Sequence, residues 1–146
     1  NGFSLVRKLI PDYDVEFEGK PIHEELLKPT RLYVKPVLEL LEEIEVAGIA
    51  HITGGGLEEN VPRIIPEGLQ ADIELSKVKV LPIFKYLGTK GVKEHEMFGT
   101  FNMGVGMTLV VDKSLADKAV ESLIAKGEDA YIIGEIKKGD TKICLR

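Results

Sequence analysis

The chain has 146 residues, of which 44% are hydrophobic and 29% are charged, and its formal net charge is −5. This length predicts one compact domain, and the single cysteine excludes an internal disulfide framework and any multi-cysteine zinc site. The acidic balance argues against a nucleic-acid binder, and no apolar run reaches the ~18–20 residues of a membrane span. Because nothing indicates an oxidising compartment, we expect a reducing cytoplasm.

The first third of the chain predicts short helices and a hairpin. A helix over the first ten residues ends at Pro11, and the charged stretch 12–20 predicts a loop or an exposed hairpin. A short helix follows between the prolines at positions 21 and 29. Over residues 34–44, apolar side chains recur at i, i+3, i+4, i+7 and i+10, which predicts an amphipathic helix with Gly48 as its stop.

The middle of the chain predicts a strand, a glycine-rich loop and a helix. Residues 48–53 form a short, mostly apolar run that is typical of a buried strand. It leads into three consecutive glycines and a helix that Pro62 ends or interrupts. Residues 69–75 alternate as a strand does. Two further helices are predicted, over residues 82–87 and 94–98.

The last third predicts strands around one helix. Residues 105–111 alternate most clearly as a strand, and Ser114 with Asp117 resembles a capping box that opens a helix ending at Gly127. Two final strands are predicted, over residues 130–136 and 142–145. Together these elements predict an α/β or α+β sandwich with a mixed sheet.

Gly54, Gly55 and Gly56 are the most informative residues for function. Glycines at a strand end let the backbone approach a ligand closely, and their N–H groups, together with a following helix, favour an anion. Arg63 could add a bidentate contact to a phosphate. The alternative is a tight strand-to-helix turn without a ligand, since the spacing matches neither the P-loop nor the dinucleotide fingerprint.

Two polar residues near glycines are further candidates. His51, just before the three glycines, is either a hydrogen-bonded structural residue or a group that donates to a phosphate and moves a proton. Asn102 precedes Gly104 and Gly106, and these glycines either form a bulge or line a cleft where Asn102 contacts a substrate amide or carbonyl.

No metal site is predicted. The three histidines lack the spacing of metal ligands, and no pair of carboxylates is placed as a catalytic acid and base. Cys144, in a strand pattern near the end of the chain, is expected in the core rather than as a nucleophile.

Three segments and the opening of the chain resemble the phosphoribosylformylglycinamidine cyclo-ligase (aminoimidazole ribonucleotide synthetase) family. The segments are GIAHITGGGLEENVPRIIPEGL (48–69), PTRLYVKPVLEL (29–40) and EMFGTFNMGVGM (96–107), and the opening reads NGFSL. The resemblance implies a three-layer α/β/α sandwich, with residues 1–146 as the C-terminal domain of a two-domain enzyme. The N-terminal domain, outside this chain, would supply most ATP and Mg²⁺ contacts and the homodimer interface. Because the sequence does not begin with methionine, we expect the chain to begin at a processing site or partway through a longer gene product.

The resemblance also implies an activity. Family members close formylglycinamidine ribonucleotide to aminoimidazole ribonucleotide with ATP: the formyl oxygen is phosphorylated, the amidine nitrogen attacks, and phosphate leaves along with ADP. Gly54, Gly55 and Gly56 would cradle a substrate phosphate, and His51 would polarise the amide or move a proton. The implied substrate-positioning residues are Asn1, Thr53, Asn60, Arg63 and Asn102.

The chain by itself leaves two functions open. It is either half of an ATP-dependent cyclo-ligase, with little turnover alone, or a stand-alone module that binds a phosphate ligand or regulates without catalysis.

Overall fold

The computed structural model describes residues 1–146, which form seven helices and seven short strands. The helices are α1 Phe3–Leu9, α2 Ile22–Leu26, α3 Val34–Glu43, α4 Gly56–Asn60, α5 Pro82–Gly88, α6 Glu94–Thr100 and α7 Ala116–Ala125. The strands are β1 Glu16–Phe17, β2 Lys20–Pro21, β3 Val46–His51, β4 Leu69–Ile73, β5 Met107–Val111, β6 Gly134–Lys138 and β7 Lys142–Leu145. Short 3₁₀ turns occupy Val61–Ile64, Leu75–Lys77 and Lys113–Leu115. No helix is both long and apolar enough to span a membrane.

The strands form three separate sheets. Strands β1 and β2 make a small antiparallel hairpin, and β3 pairs with β5 antiparallel, with Ile49 opposite Leu109. The third sheet has the order β6-β4-β7, in which β4 is antiparallel to β6 and parallel to β7. The expected mixed α/β class and mixed sheet are therefore confirmed.

Two apolar clusters hold these elements together. The larger joins the first two helices and α4 to α6 with strands β3 and β4, and its most buried side chains are Ile10, Ile22, Ile52, Leu57 and Leu87. The smaller contains Leu40, Ile44 and Ala119, which pack α3 against α7. Each fully buried Leu or Ile contributes about 1.5–3 kcal/mol. The larger cluster therefore fixes the end of β3, where the three glycines begin.

Most predicted elements are present near their predicted positions. The opening helix, the hairpin, the helix between the two prolines and the amphipathic helix α3 are all confirmed. So are the helices α5, α6 and α7, and the strands β4, β5 and β7. Gly127 follows α7 with φ +85° and donates its N–H to the carbonyl of Ile124, as predicted for a residue that ends a helix.

The prediction that Gly48 stops a helix is wrong. Helix α3 ends at Glu43, because Ile44 turns to extended backbone (φ −144°, ψ 156°) and buries its side chain. Gly48 lies inside β3, where a Cβ atom would be only 3.2 Å from the side chain of Ile64. This glycine therefore serves close packing between the strand and the turn after α4.

Two further predictions need correction. Ser114 does not cap α7, because Asp112 accepts hydrogen bonds from both the N–H (2.9 Å) and the hydroxyl (2.5 Å) of Ser114 and so caps the 3₁₀ turn itself. The strand predicted over residues 130–136 is paired only from Gly134 onward. A strand exists only where a neighbouring strand is available, and residues 130–133 have none.

Candidate functional site

Gly54, Gly55 and Gly56, called here the glycine loop, connect the end of β3 to the start of α4. The turn closes through a hydrogen bond from the Gly56 N–H to the Thr53 carbonyl (3.0 Å), and the Glu59 N–H donates to the Gly55 carbonyl (3.1 Å). The backbone N–H groups of four residues at this turn have no hydrogen-bond partner in the chain, namely Gly54, Gly55, Leu57 and Glu58. The loop therefore offers several donors to an anion.

The buried side chain of Asn60 binds the carbonyl groups of the glycine loop. Its side chain is 3% exposed, and its Nδ2 donates to the carbonyls of Gly56 (2.8 Å), Gly54 (3.1 Å) and Thr53 (3.4 Å). Its Oδ1 accepts from the Thr53 hydroxyl at 3.5 Å. These contacts hold three carbonyls of the loop, whereas the N–H groups of Gly54 and Gly55 have no partner in the chain. The structure gives Asn60 the geometry of a residue that shapes the loop.

The absence of a side chain has a different cause at each of the three glycines of the loop. At Gly56 (φ +58°) a Cβ atom would lie 1.9 Å from the Phe98 carbonyl oxygen, so α4 can contact α6 only without a side chain there. Gly55 has φ +91°, which disfavours other residues. At Gly54, however, φ is not in the left-handed region, and a Cβ atom would have no neighbour within 4 Å. The chain itself does not explain the missing side chain at Gly54.

A cleft of about 1190 Å³ lies beside the glycine loop. It is lined by four of the predicted site residues, namely Asn1, His51, Thr53 and Asn102. His51 ends β3 opposite Met107, the first residue of β5, and its side chain is exposed. These residues therefore gather where β3 ends and β5 begins, and the imidazole is accessible to a ligand.

Tyr33 is a neighbour of His51 that the sequence did not reveal. Its ring meets the His51 ring edge to face, with centroids 6.1 Å apart, and it lines the same cleft. A Cβ on Gly106 would lie 1.8 Å from the Tyr33 hydroxyl, so only a glycine at this position leaves space for the Tyr33 side chain. Partial burial and nearby Glu128 raise the pKa of Tyr33. The only signal in the sequence was the tyrosine within the segment PTRLYVK, 18 residues before His51.

The turn before β5 has an irregular backbone and also lines the cleft, so it combines the two roles that the sequence left open. Asn102 accepts the Gly104 N–H on Oδ1 at 3.0 Å, while Met103 (φ 55°) and Gly104 (φ 109°) adopt left-handed backbone. Asn102 therefore shapes the turn, and it also lines the cleft with Gly104 and Gly106. Its amide nitrogen is left for a ligand.

The other five predicted site residues do not line the cleft, namely Gly54, Gly55, Gly56, Asn60 and Arg63. Of these, Arg63 also lies outside the glycine loop and makes none of its hydrogen bonds. It is exposed in the 3₁₀ turn after α4, is not among the residues that line the cleft, and has no ion-pair partner. Two ion pairs line the cleft near Tyr33 and Tyr131. Arg31 donates from Nε to Glu128 (2.6 Å), which raises the pKa of the guanidinium, and Lys79 contacts Asp129 (2.6 Å).

No group of three His, Cys, Asp or Glu side chains is arranged to hold a metal ion. Cys144 is a free, partly buried thiol in β7 and is not among the residues that line the cleft. The centre of that sheet instead carries an ion cluster, in which Asp72 (5% exposed) contacts Lys137 at 2.8 Å and Arg146 at 2.7 Å.

Together, the fold and the site define a mixed α/β domain in which a glycine-rich loop with unpaired backbone N–H groups lies beside a histidine-containing cleft. Residues 1–144 match the family described as "AIR synthase related protein, C-terminal domain". The chain belongs to this family.

Curated relatives cover the whole chain. It is 49% identical over 146 residues to the phosphoribosylformylglycinamidine cyclo-ligase of Clostridium tetani and 47% identical to that of Clostridium kluyveri, in both cases with 100% of this chain and 44% of the relative aligned. The relative from Alkaliphilus metalliredigens is 45% identical over 153 residues. The chain thus spans less than half the length of these relatives.

Proposed function

We propose that this domain is the substrate-side half of an enzyme of purine biosynthesis that closes the imidazole ring of aminoimidazole ribonucleotide. The substrate is formylglycinamidine ribonucleotide, and ADP and phosphate are released. In this proposal the longer protein adds an N-terminal domain with most of the ATP and Mg²⁺ contacts and forms a cytoplasmic homodimer. In the longer protein, this C-terminal domain has the form of a three-layer α/β/α sandwich. The chain without its N-terminal domain has little or no turnover.

The observation that carries the proposal is the free face of the glycine loop. Four N–H groups there lack partners, and the absent side chain at Gly54 leaves space that no other part of the chain fills. A phosphate monoester fits this arrangement, since its oxygens accept several short hydrogen bonds from backbone N–H groups. The names of the relatives, which are 45–49% identical, supply the phosphorylated substrate.

The side chains around the loop then have separate tasks. Asn60 holds the loop carbonyls inward, and the exposed His51 imidazole removes a proton from the amidine nitrogen as it bonds to the formyl carbon. Thr53 and Asn102 orient the substrate in the cleft, and Asn1 lies at the same cleft. Arg63 approaches the phosphate from the outside of the loop. Its long side chain is exposed and has no ion-pair partner, so it can make this contact.

ATP and Mg²⁺ are only partly accommodated by this chain. The loop N–H groups suit a phosphate, but no cluster of carboxylates suits Mg²⁺. When bound, ATP supplies the phosphoryl group that turns the formyl oxygen into a leaving group. We therefore assign the residues of this chain to the binding of the ribonucleotide and to proton movement.

Titration of the isotopically labelled chain with formylglycinamidine ribonucleotide, without ATP, tests the proposal by amide-resolved NMR. We expect saturable shifts at the glycine loop, His51, Thr53 and Asn102. Gly54→Ala should weaken binding by about tenfold or more, because the added Cβ occupies the open space beside the loop and keeps the phosphate from hydrogen bonds worth ~1.5–3 kcal/mol. Gly88→Ala is the matched control, because Gly88 also has open space and an ordinary φ.

Each outcome of the titration has a defined meaning. If millimolar ribonucleotide shifts none of these amides, the loop is a structural turn and the proposal fails. If inorganic phosphate produces the same shifts at the same concentration as the ribonucleotide, the domain is a general phosphate-binding module. If Gly54→Ala binds as the unsubstituted chain does, the phosphate lies elsewhere.

A further inference from the structure

The cleft extends well beyond the candidate site, into the space between two sheets. Its walls include all five residues of β5 on one side and the segment 130–136 on the other. Most side chains there are apolar, and Ile132 and Ile136 remain 46% and 36% exposed. A groove of this kind between sheets is unusual in a folded domain, because exposed apolar surface and open sheet edges favour association.

One wall of this groove is an unpaired strand edge. The Ile52 N–H donates to the Gly106 carbonyl, and the register then continues in steps of one residue to Ile49 opposite Leu109. In an antiparallel pair, hydrogen-bonded and non-hydrogen-bonded residues alternate. Met107 and Leu109 therefore direct their N–H and C=O groups away from β3, and none of these groups has a partner in the chain, whereas the register shifts between Val46 and Gly48, opposite Val111.

The opposite wall has strand-forming residues without a strand. The sequence of residues 130–136 predicts a strand, yet only β6 is paired. Ala130, Tyr131 and Ile132 make no backbone hydrogen bond, and Ile133 makes one, through its carbonyl to the Glu74 N–H. This segment lines the groove together with β5. Both walls thus present backbone groups that only another strand can satisfy.

The size of the groove matches one strand. A strand advances about 3.3 Å per residue, lies about 4.8 Å from its neighbours and occupies about 10 Å between packed layers, so six residues fill on the order of 950 Å³. The cleft measures about 1190 Å³. The remaining volume leaves room for a small ligand at the end lined by His51 and Asn102.

The location of Asn1 indicates the source of that strand. Asn1 lines the cleft, and Gly2 lies against the ring of Phe101, just before the turn into β5. The relatives are more than twice as long as this chain, and the family to which it belongs is a C-terminal domain. In those relatives, the residues immediately before the aligned region therefore end beside the start of β5.

We propose that the segment preceding the aligned region in the longer protein enters this groove as an added β-strand, antiparallel to β5. It pairs with Met107 and Leu109 on one edge and with residues 130–133 on the other. This addition joins the β3-β5 sheet to the β6-β4-β7 sheet and buries Ile132. Pairing of an extended segment with a free sheet edge is a general mode of peptide recognition.

A peptide added in trans tests this proposal. The probe is a synthetic peptide of about ten residues with the sequence that immediately precedes the aligned region in the Clostridium tetani relative, a length sufficient for one strand. Hydrogen exchange of the chain is measured with and without it. We expect exchange of the Met107 and Leu109 amides to slow by about tenfold or more, since a paired amide exchanges only when the pairing opens.

Two matched variants show whether the groove is the binding surface. Ile132→Lys places a charge in the groove, whereas Ile124→Lys places one on α7 at a residue that does not line the cleft and is 54% exposed. Both sites are exposed, so neither change should unfold the chain. Ile132→Lys should abolish the protection by the peptide, and Ile124→Lys should preserve it.

Three results would overturn the proposal. The first is no change in exchange at the β5 edge at millimolar peptide. The second is protection confined to the exposed apolar face of α3, formed by Val34, Leu38 and Leu41. The third is protection of the β5 edge that appears without peptide and rises with chain concentration, because the occupant would then be a second copy of this chain.

Discussion

Gly56→Ala tests whether the contact between α4 and α6 sets the shape of the glycine loop. The change forces alanine into a left-handed backbone (φ +58°), which costs about 1–2 kcal/mol. The new Cβ would lie 1.9 Å from the Phe98 carbonyl oxygen and 2.7 Å from that of Phe101. Helix α6 must move to remove this steric clash, and overpacking of this kind costs about 1–3 kcal/mol. We expect a loss of about 2–5 kcal/mol in the free energy of unfolding.

This loss is large compared with the ~5–15 kcal/mol of a typical domain. Urea denaturation followed by circular dichroism measures it, since the midpoint should fall while the slope stays constant. Gly54→Ala is the matched control in the same loop, and its stability should lie within about 0.5 kcal/mol of the unsubstituted chain or slightly above it. A Gly56→Ala chain as stable as the Gly54→Ala chain would refute the assignment of Gly56 to helix packing.

Three further predictions concern the surroundings of the loop. Asn60→Ala should lower stability by about 2–3 kcal/mol in urea denaturation, because two good hydrogen bonds are lost and buried carbonyls are left without donors. Gly106→Ala should expel the Tyr33 ring and therefore shift the NMR signals of the neighbouring imidazole, and unchanged signals would contradict the contact. The hydrogen bond from Lys137 lowers the pKa of Asp72. This ion pair therefore stabilises the fold above the unfolded pKa of the carboxyl, and the stabilisation is lost as pH falls. Lys137→Met should raise the pH at the midpoint of acid unfolding.

The parts of the fold that depend on neighbouring residues were predictable from the sequence. The apolar stripe of α3, the strand that ends at His51 and the helix after the three glycines all follow from local periodicity and glycine placement. The glycine loop and His51 could be identified as candidates for the same reason, since both belong to one continuous segment. Such features are determined within about ten residues, where sequence patterns are most informative.

The parts that depend on distant residues were not predictable. Gly48 is a strand residue because Ile64 packs against it, and no local signal distinguishes that role from a helix stop. Tyr33 contacts His51 only because β3 returns past the start of α3, 18 residues later in the chain. Residues 130–133 have the composition of a strand, but pairing requires a partner that this chain does not provide.

The same distinction separates glycines that the fold requires from glycines that it does not. Gly56 and Gly106 are fully explained by contacts within the chain, with α6 and with Tyr33. Gly54 has an ordinary φ and open space, so alanine would be favoured there by its lower unfolded-state entropy. A glycine at such a position indicates that something outside the chain approaches the backbone closely. Four N–H groups at this turn have no partner in the chain, which supports our proposal that the phosphate of a ribonucleotide binds here, since a phosphate would satisfy both the space and the donors.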